Sequence, residues 1–302
     1  MNKIAPVTVI IAAGLWGIDG ILLRPELYDL NVSLVVLIES SIVSILLLPV
    51  LVRNFKSLSQ LTLKDWISFS LVALFGGAIG TMAITKALFF VNFVNLSVVI
   101  LIQKLQPVFA MILAAILLRE KLVKKFYLWA SVAVSATYLM TFGFHIPDFN
   151  NGNKTLEAAL FALLAAGSFG ASTVFSKRAL RKVSFELGTY LRFSISMLVM
   201  VIFFSVFSEP GSVTKLTMHH FYIFLIIAFT TGGPAIFLYY YGLKRITASV
   251  ATICELAFPL TAIVLEYIIH GNILSVFQWI GVVVLMFSIF KVSRIDAFKH
   301  AS

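Results

Sequence analysis

The sequence predicts an all-α integral membrane protein, with ten transmembrane helices arranged as two inverted five-helix repeats. Three observations lead there: an apolar composition, a series of bilayer-length hydrophobic windows, and a pattern that begins again halfway along the chain. Hydrophobic residues make up 60% of the 302, charged residues only 12%, and the mean hydropathy is +1.02. Soluble domains carry about 25% charge, so an ordinary soluble fold is excluded.

Crossing a ~30 Å hydrocarbon core takes about 20 apolar residues. In the first half such windows fall at residues 4–23, 33–52, 66–90, 95–118 and 126–144. The first lacks a small-x-small cleavage site and reads as a retained helix rather than a leader. Residues 146–154, rich in Pro, Gly and Asn, read as a linker between a first repeat at 1–145 and a second at 155–302. The second half has windows at 156–177, 185–207, 221–243, 247–269 and 277–292.

The two halves share landmarks. Ala12-Ala13-Gly14-Leu15-Trp16-Gly17 recurs 153 residues later as Ala165-Ala166-Gly167-Ser168-Phe169-Gly170, and Pro107 recurs 152 residues later as Pro259. With five windows per unit the second copy must enter the membrane from the opposite side, and inverted repeats are a mark of transporters that alternate access about a central site.

A formal net charge of +10 invites a nucleic-acid reading, but the distribution opposes it. With both termini on one face, 17 Lys/Arg lie on that face and three (Arg24, Lys154, Lys215) on the other; Lys86, Lys104 and Arg192 fall within windows. The positive-inside rule then puts both termini in the cytoplasm of a cell, or inner, membrane, and the basic surplus is an attraction to anionic lipid. No phosphate-cradling glycine loop, metal-ligand spacing or nucleophile–base motif is present, so no cofactor, metal or enzymatic role is expected. The lone Cys254 cannot form an intramolecular disulfide.

An ionisable group at mid-bilayer costs roughly 2.5–3.5 kcal/mol, so each needs a partner or an aqueous cavity. At 1.5 Å per residue, Lys104 lies roughly 14 Å into the fourth window and Glu255 roughly 12 Å into the ninth, both close to the repeated prolines. Gln103, Lys104, Gln106 and Pro107 share one arc of a helix, while Thr252, Glu255, Pro259 and Glu266 share another, narrower one. These form two expected walls of a central polar cavity. Trp16, Lys86, Gln103, Lys104, Phe169, Tyr239 and Glu255 make up the expected substrate-binding set. Asp19, Glu39, Arg192 and the hinge-like Gly232-Gly233-Pro234 make up the expected coupling or gating set. Lys86, about 6–8 Å from the end of its window, either reaches out to the headgroups or pairs with Asp19 or Glu39; Arg192, at the repeat position of Glu39, is expected to form state-dependent ion pairs with it.

These segments carry a resemblance. Residues 12–17 and their copy, Leu101 to Ala110 leading into Leu118-Arg119-Glu120-Lys121-Leu122, and Glu255-Leu256-Ala257-Phe258-Pro259-Leu260 are similar to the EamA-type branch of the drug/metabolite transporter superfamily. In the second repeat Gly271-Asn272 stands where the first has Arg119-Glu120-Lys121. The resemblance implies ten helices, a cavity lined largely by the first, third, fourth, sixth, eighth and ninth, and export or exchange of small metabolites such as amino acids. The expectation is therefore a secondary transporter, monomeric or homo-oligomeric, moving small polar metabolites, most simply amino acids or their derivatives. In that reading Lys104 meets a carboxylate and Glu255 an amine, or Glu255 carries a coupling proton. The alternative is a lipophilic-cation or drug exporter with Glu255 as cation site and Trp16 and Phe169 as aromatic walls; Lys104 and Lys86 oppose it by repulsion.

Overall fold

The computed structural model describes residues 4–90, 99, 102–144, 155–207, 211–270 and 274–295; the expected linker, 146–154, lies outside them. Among the described residues all regular structure is helical, with no strand. The principal helices are α1 (Ile4–Leu27), α2 (Val32–Leu46), α3 (Leu63–Ala87), α4 (Gln106–Leu117), α5 (Lys124–Phe142), α6 (Leu156–Ala179), α7 (Phe185–Val206), α8 (Met218–Arg245), α9 (Ala248–Cys254 continuing as Ala257–His270) and α10 (Val276–Ser293). Six of these, α1, α3, α6, α7, α8 and α10, are long and apolar enough to cross a membrane. Their outer faces leave Ile11, Leu160, Ile202, Phe229 and Val283 exposed, as lipid-facing surfaces require.

Helix ends follow local chemistry. Asn31 starts α2 by accepting the Ser33 N–H at 2.9 Å, and Ser275 starts α10 in a reciprocal box with Gln278. The second hydrophobic window, expected as one helix through residue 52, ends as α2 at Leu46; Pro49 lies in the first turn of a separate short helix, Leu48–Arg53.

Three helices contain a π-helical segment. Asp19–Leu23 in α1, Ala73–Ile79 in α3 and Ala228–Gly232 in α8 are π-helical. The α3 and α8 segments begin 155 residues apart, close to the repeat offset. In α8 the ordinary helix resumes at Gly233, with Pro234 in its first turn, where a missing N–H costs nothing. Single π turns inside α-helices are common at functional sites.

The two halves interlock. α1 packs on α8 and α9, whereas its counterpart α6 packs on α3 and α4; α2 pairs with α7 and α5 with α10. The repeated glycines explain the close approach. A Cβ on Gly17 would sit 2.9 Å from the Phe258 carbonyl of α9, and one on Gly170 would sit 2.9 Å from the Ala110 backbone nitrogen of α4. Small residues let membrane helices touch backbone to backbone. Buried alanines, Ala12 and Ala13 on α1 and Ala165 and Ala166 on α6, fill the same seams. Cys254 is fully buried at the end of the first segment of α9.

Candidate substrate cavity

Between the halves lies a cavity of about 530 Å³, within the range of small-molecule sites. Its walls come from α1, α3, α6, α8, α9 and the turn leading into α4, as expected, and also from α2 and α7 through Glu39, Ser40, Arg192 and Ser196. It extends to the α1–α2 connector at Leu27, Tyr28 and Leu30. At the opposite end α1 and α8 are in contact, and a Cβ on Gly242 would strike Val9 and the Ala5 carbonyl.

Two helix interruptions face one another across this space. Lys104 and Leu105 form a turn just ahead of α4, and Glu255 and Leu256 form a turn within α9. Pro107 and Pro259 account for both, because each lacks the N–H that would bond four residues back. Three-residue bonds close the gaps instead: Val108 N–H to the Leu105 carbonyl at 2.9 Å, and Phe258 N–H to the Glu255 carbonyl at 3.0 Å.

The Glu255 carboxylate is cradled by neutral donors. Tyr239 Oη donates to Oε1 at 2.6 Å, Gln106 Nε2 to Oε2 at 2.9 Å, and Thr173 Oγ1 lies 3.4 Å from Oε1. Hydrogen bonds to a charged group contribute about 1.5–3 kcal/mol each, which offsets part of the cost of placing the carboxylate here. Lys104 makes no ion pair among the described residues; its Nζ lies 5.2 Å from the centre of the Phe258 ring. Thr252 Oγ1 is the one buried side-chain polar atom without a hydrogen bond among those described, and Thr252 lines the cavity one turn before Glu255. Aromatic walls complete the space: Trp16 and Tyr239 sit with ring centres 5.2 Å apart at 57°, and Phe169, Phe193 and Phe258 line the rest.

A second charged group lies nearer the α1–α2 connector. Arg24 Nε binds Asp19 Oδ2 at 2.5 Å and Arg24 Nη2 binds Glu39 Oε2 at 2.7 Å, while Thr231 Oγ1 donates to Asp19 Oδ1 at 3.0 Å. In this conformation the partner of Asp19 and Glu39 is Arg24, not Lys86, and the state-dependent pair of Arg192 with Glu39 is not formed. Arg192 lines the cavity with its guanidinium 5.8 Å from the centre of the Tyr240 ring.

Trp16, Gln103, Lys104, Phe169, Tyr239 and Glu255 of the expected binding set all line the cavity. Lys86 does not; it is exposed, with Nζ 5.6 Å from the Phe161 ring. Of the gating set, Glu39, Arg192 and Gly232 line it, Asp19 is buried behind Arg24, and Gly233 and Pro234 are absent from the lining. Arg24, Thr173, Thr231 and Phe258 are among the residues that sequence reasoning missed. No cluster of metal-ligating side chains occurs among the described residues.

The α4–α5 connector reaches across to the other half. Glu120 accepts hydrogen bonds from the Ala248 N–H at 2.8 Å, the Ser249 N–H at 3.1 Å and Ser249 Oγ at 2.6 Å. A carboxylate is thereby placed at the N-terminus of α9, where the helix dipole favours it.

A helical bundle with discontinuous helices around a central polar and aromatic cavity defines a class, the multi-pass membrane transporters. The profile of the EamA-like transporter family matches residues 3–142 and again residues 156–294, and the chain belongs to that family. It is 45% identical over 292 residues, covering 95% of this chain and 97% of the other, to a protein of Fusobacterium nucleatum subsp. nucleatum named Riboflavin transporter ImpX. A solved crystal structure of a protein 14% identical to it superposes with a TM-score of 0.74, covering 95% of this chain and 96% of that one, which shows a shared fold.

Proposed function

We propose that the chain carries riboflavin, or a closely related flat aromatic metabolite, across a membrane as a secondary transporter working by alternating access. The observation that carries this reading is the cavity itself: about 530 Å³, walled by Trp16, Phe169, Tyr239 and Phe258, with polar groups at the two helix interruptions and on α2 and α7. A planar ring system suits such walls, and a polyol tail suits the polar residues Glu39, Arg192 and Ser196. The likeness to a riboflavin transporter along nearly the whole of both chains supports the same substrate class.

In this proposal ten helices cross the inner membrane as two inverted units, with both termini on the basic, cytoplasmic face. The amino-acid expectation draws no support from the comparisons, and Glu255, already bonded by Tyr239 and Gln106, is poorly disposed to receive a free ammonium. Lipophilic cations would meet Arg24, Lys104 and Arg192. The test is flux of labelled riboflavin into and out of proteoliposomes containing the purified chain. Saturable flux, competed by unlabelled riboflavin but not by amino acids, is expected; flux no greater than in empty liposomes would overturn the proposal.

A further inference from the structure

We infer that the cavity reads its substrate through a cyclic imide edge, the O=C–NH–C=O face that the isoalloxazine ring of a flavin presents. This rests on the riboflavin reading above and adds the groups that would recognise it.

The inference follows from counting hydrogen-bonding capacity at the facing interruptions. A carboxylate offers about four acceptor positions. At Glu255, Oε1 takes Tyr239 and, at longer range, Thr173, while Oε2 takes only Gln106. One acceptor position on Oε2 stays open. Next to it stand unspent donors: the second N–H of Gln106 and, one turn earlier on α9, the buried, unbonded hydroxyl of Thr252.

One open acceptor flanked by donors is the complement of a group with one N–H between two carbonyls. An amino acid carries neither element of that pattern in a ring plane. In the inferred pose the imide N–H donates to Glu255 Oε2 and the carbonyls accept from Gln106 and from Thr252. The fused rings lie along Trp16 and Tyr239, and the ribityl chain points toward Glu39 and Arg192. The orphaned Thr252 hydroxyl is the independent mark of a ligand here, because buried polar atoms are nearly always bonded.

The experiment compares riboflavin with N3-methylriboflavin, in which a methyl replaces the imide hydrogen, by quenching of flavin fluorescence on the detergent-purified chain. Losing a hydrogen bond to a carboxylate corresponds to an affinity drop of about 10- to 100-fold. The inference expects at least tenfold weaker binding of the methylated flavin to the wild type, and a penalty reduced several-fold in Glu255→Ala, where the acceptor is gone. Binding of the two flavins with less than tenfold difference would overturn it, as would an undiminished penalty in Glu255→Ala. The wild-type comparison decides even where the variant does not fold. Failure of riboflavin itself to bind would instead remove the substrate assignment on which the inference rests.

Discussion

Glu120 and Ser249 are hydrogen-bonded at 2.6 Å although 129 residues separate them, so a connector of the first half caps a helix of the second. Glu120 also takes the Ala248 and Ser249 amides, satisfying donors that start α9. Opening the bundle at this end requires releasing that cap. Glu120→Ala is expected to cost about 1–2 kcal/mol of stability, read by thermal unfolding of the purified chain. It is also expected to raise thiol-reagent labelling of a cysteine placed at Thr8, which is buried beside Gly242. Unchanged labelling would mean that the cap does not hold this end shut.

Arg24 bridges two carboxylates, and removing it leaves both buried and unpaired. Breaking a buried ion pair from one side typically costs about 3–5 kcal/mol. Arg24→Met should therefore unfold at clearly lower temperature, and adding Glu39→Gln should restore part of the loss. A single variant as stable as the wild type would argue against this network.

Lys104→Gln keeps a donor but loses the charge over Phe258, whereas Lys86→Gln alters an exposed side chain outside the cavity. The first is expected to weaken riboflavin binding roughly tenfold, and the second to leave binding within twofold, on the order of assay error for a surface change. Fluorescence titration of both variants side by side checks the pair.

Gly170→Ala places a methyl against backbone rather than against a yielding side chain, with the Ala110 nitrogen at 2.9 Å and the Gln106 carbonyl at 3.0 Å. α4 and α6 must then separate, at about 1–3 kcal/mol. Gly167→Ala, one turn earlier, meets the Phe109 ring only at 4.0 Å and should be tolerated. Equal melting temperatures for the two variants would contradict this account of the seam.

The positions of Glu255 and Lys104 were legible because depth along an apolar window and proximity to a proline are both written in sequence. The role of Arg24 was not. At 100° per residue Asp19 and Arg24, five positions apart, would lie roughly 140° apart on an α-helix. The π-helical turn Asp19–Leu23 changes that: the Arg24 N–H bonds the Asp19 carbonyl and carries its guanidinium onto the Asp19 carboxylate. A change of helical pitch leaves no mark in hydrophobic periodicity when every neighbour is apolar. Phe258 was hidden for a related reason, since the turn at Glu255-Leu256 resets which residues after it face inward. Lys86 went the other way: its place in an apolar window says nothing of which way the helix turns it, and the side chain is exposed against Phe161 rather than lining the cavity.

Nature has left this chain with a single sulfhydryl, and Cys254 is sealed from solvent directly beside the carboxylate at the centre of the bundle. Maleimide or spin-label chemistry can therefore be directed at any introduced site without first engineering a thiol-free background. Chemical footprints of the transporter become obtainable from the native protein plus one substitution.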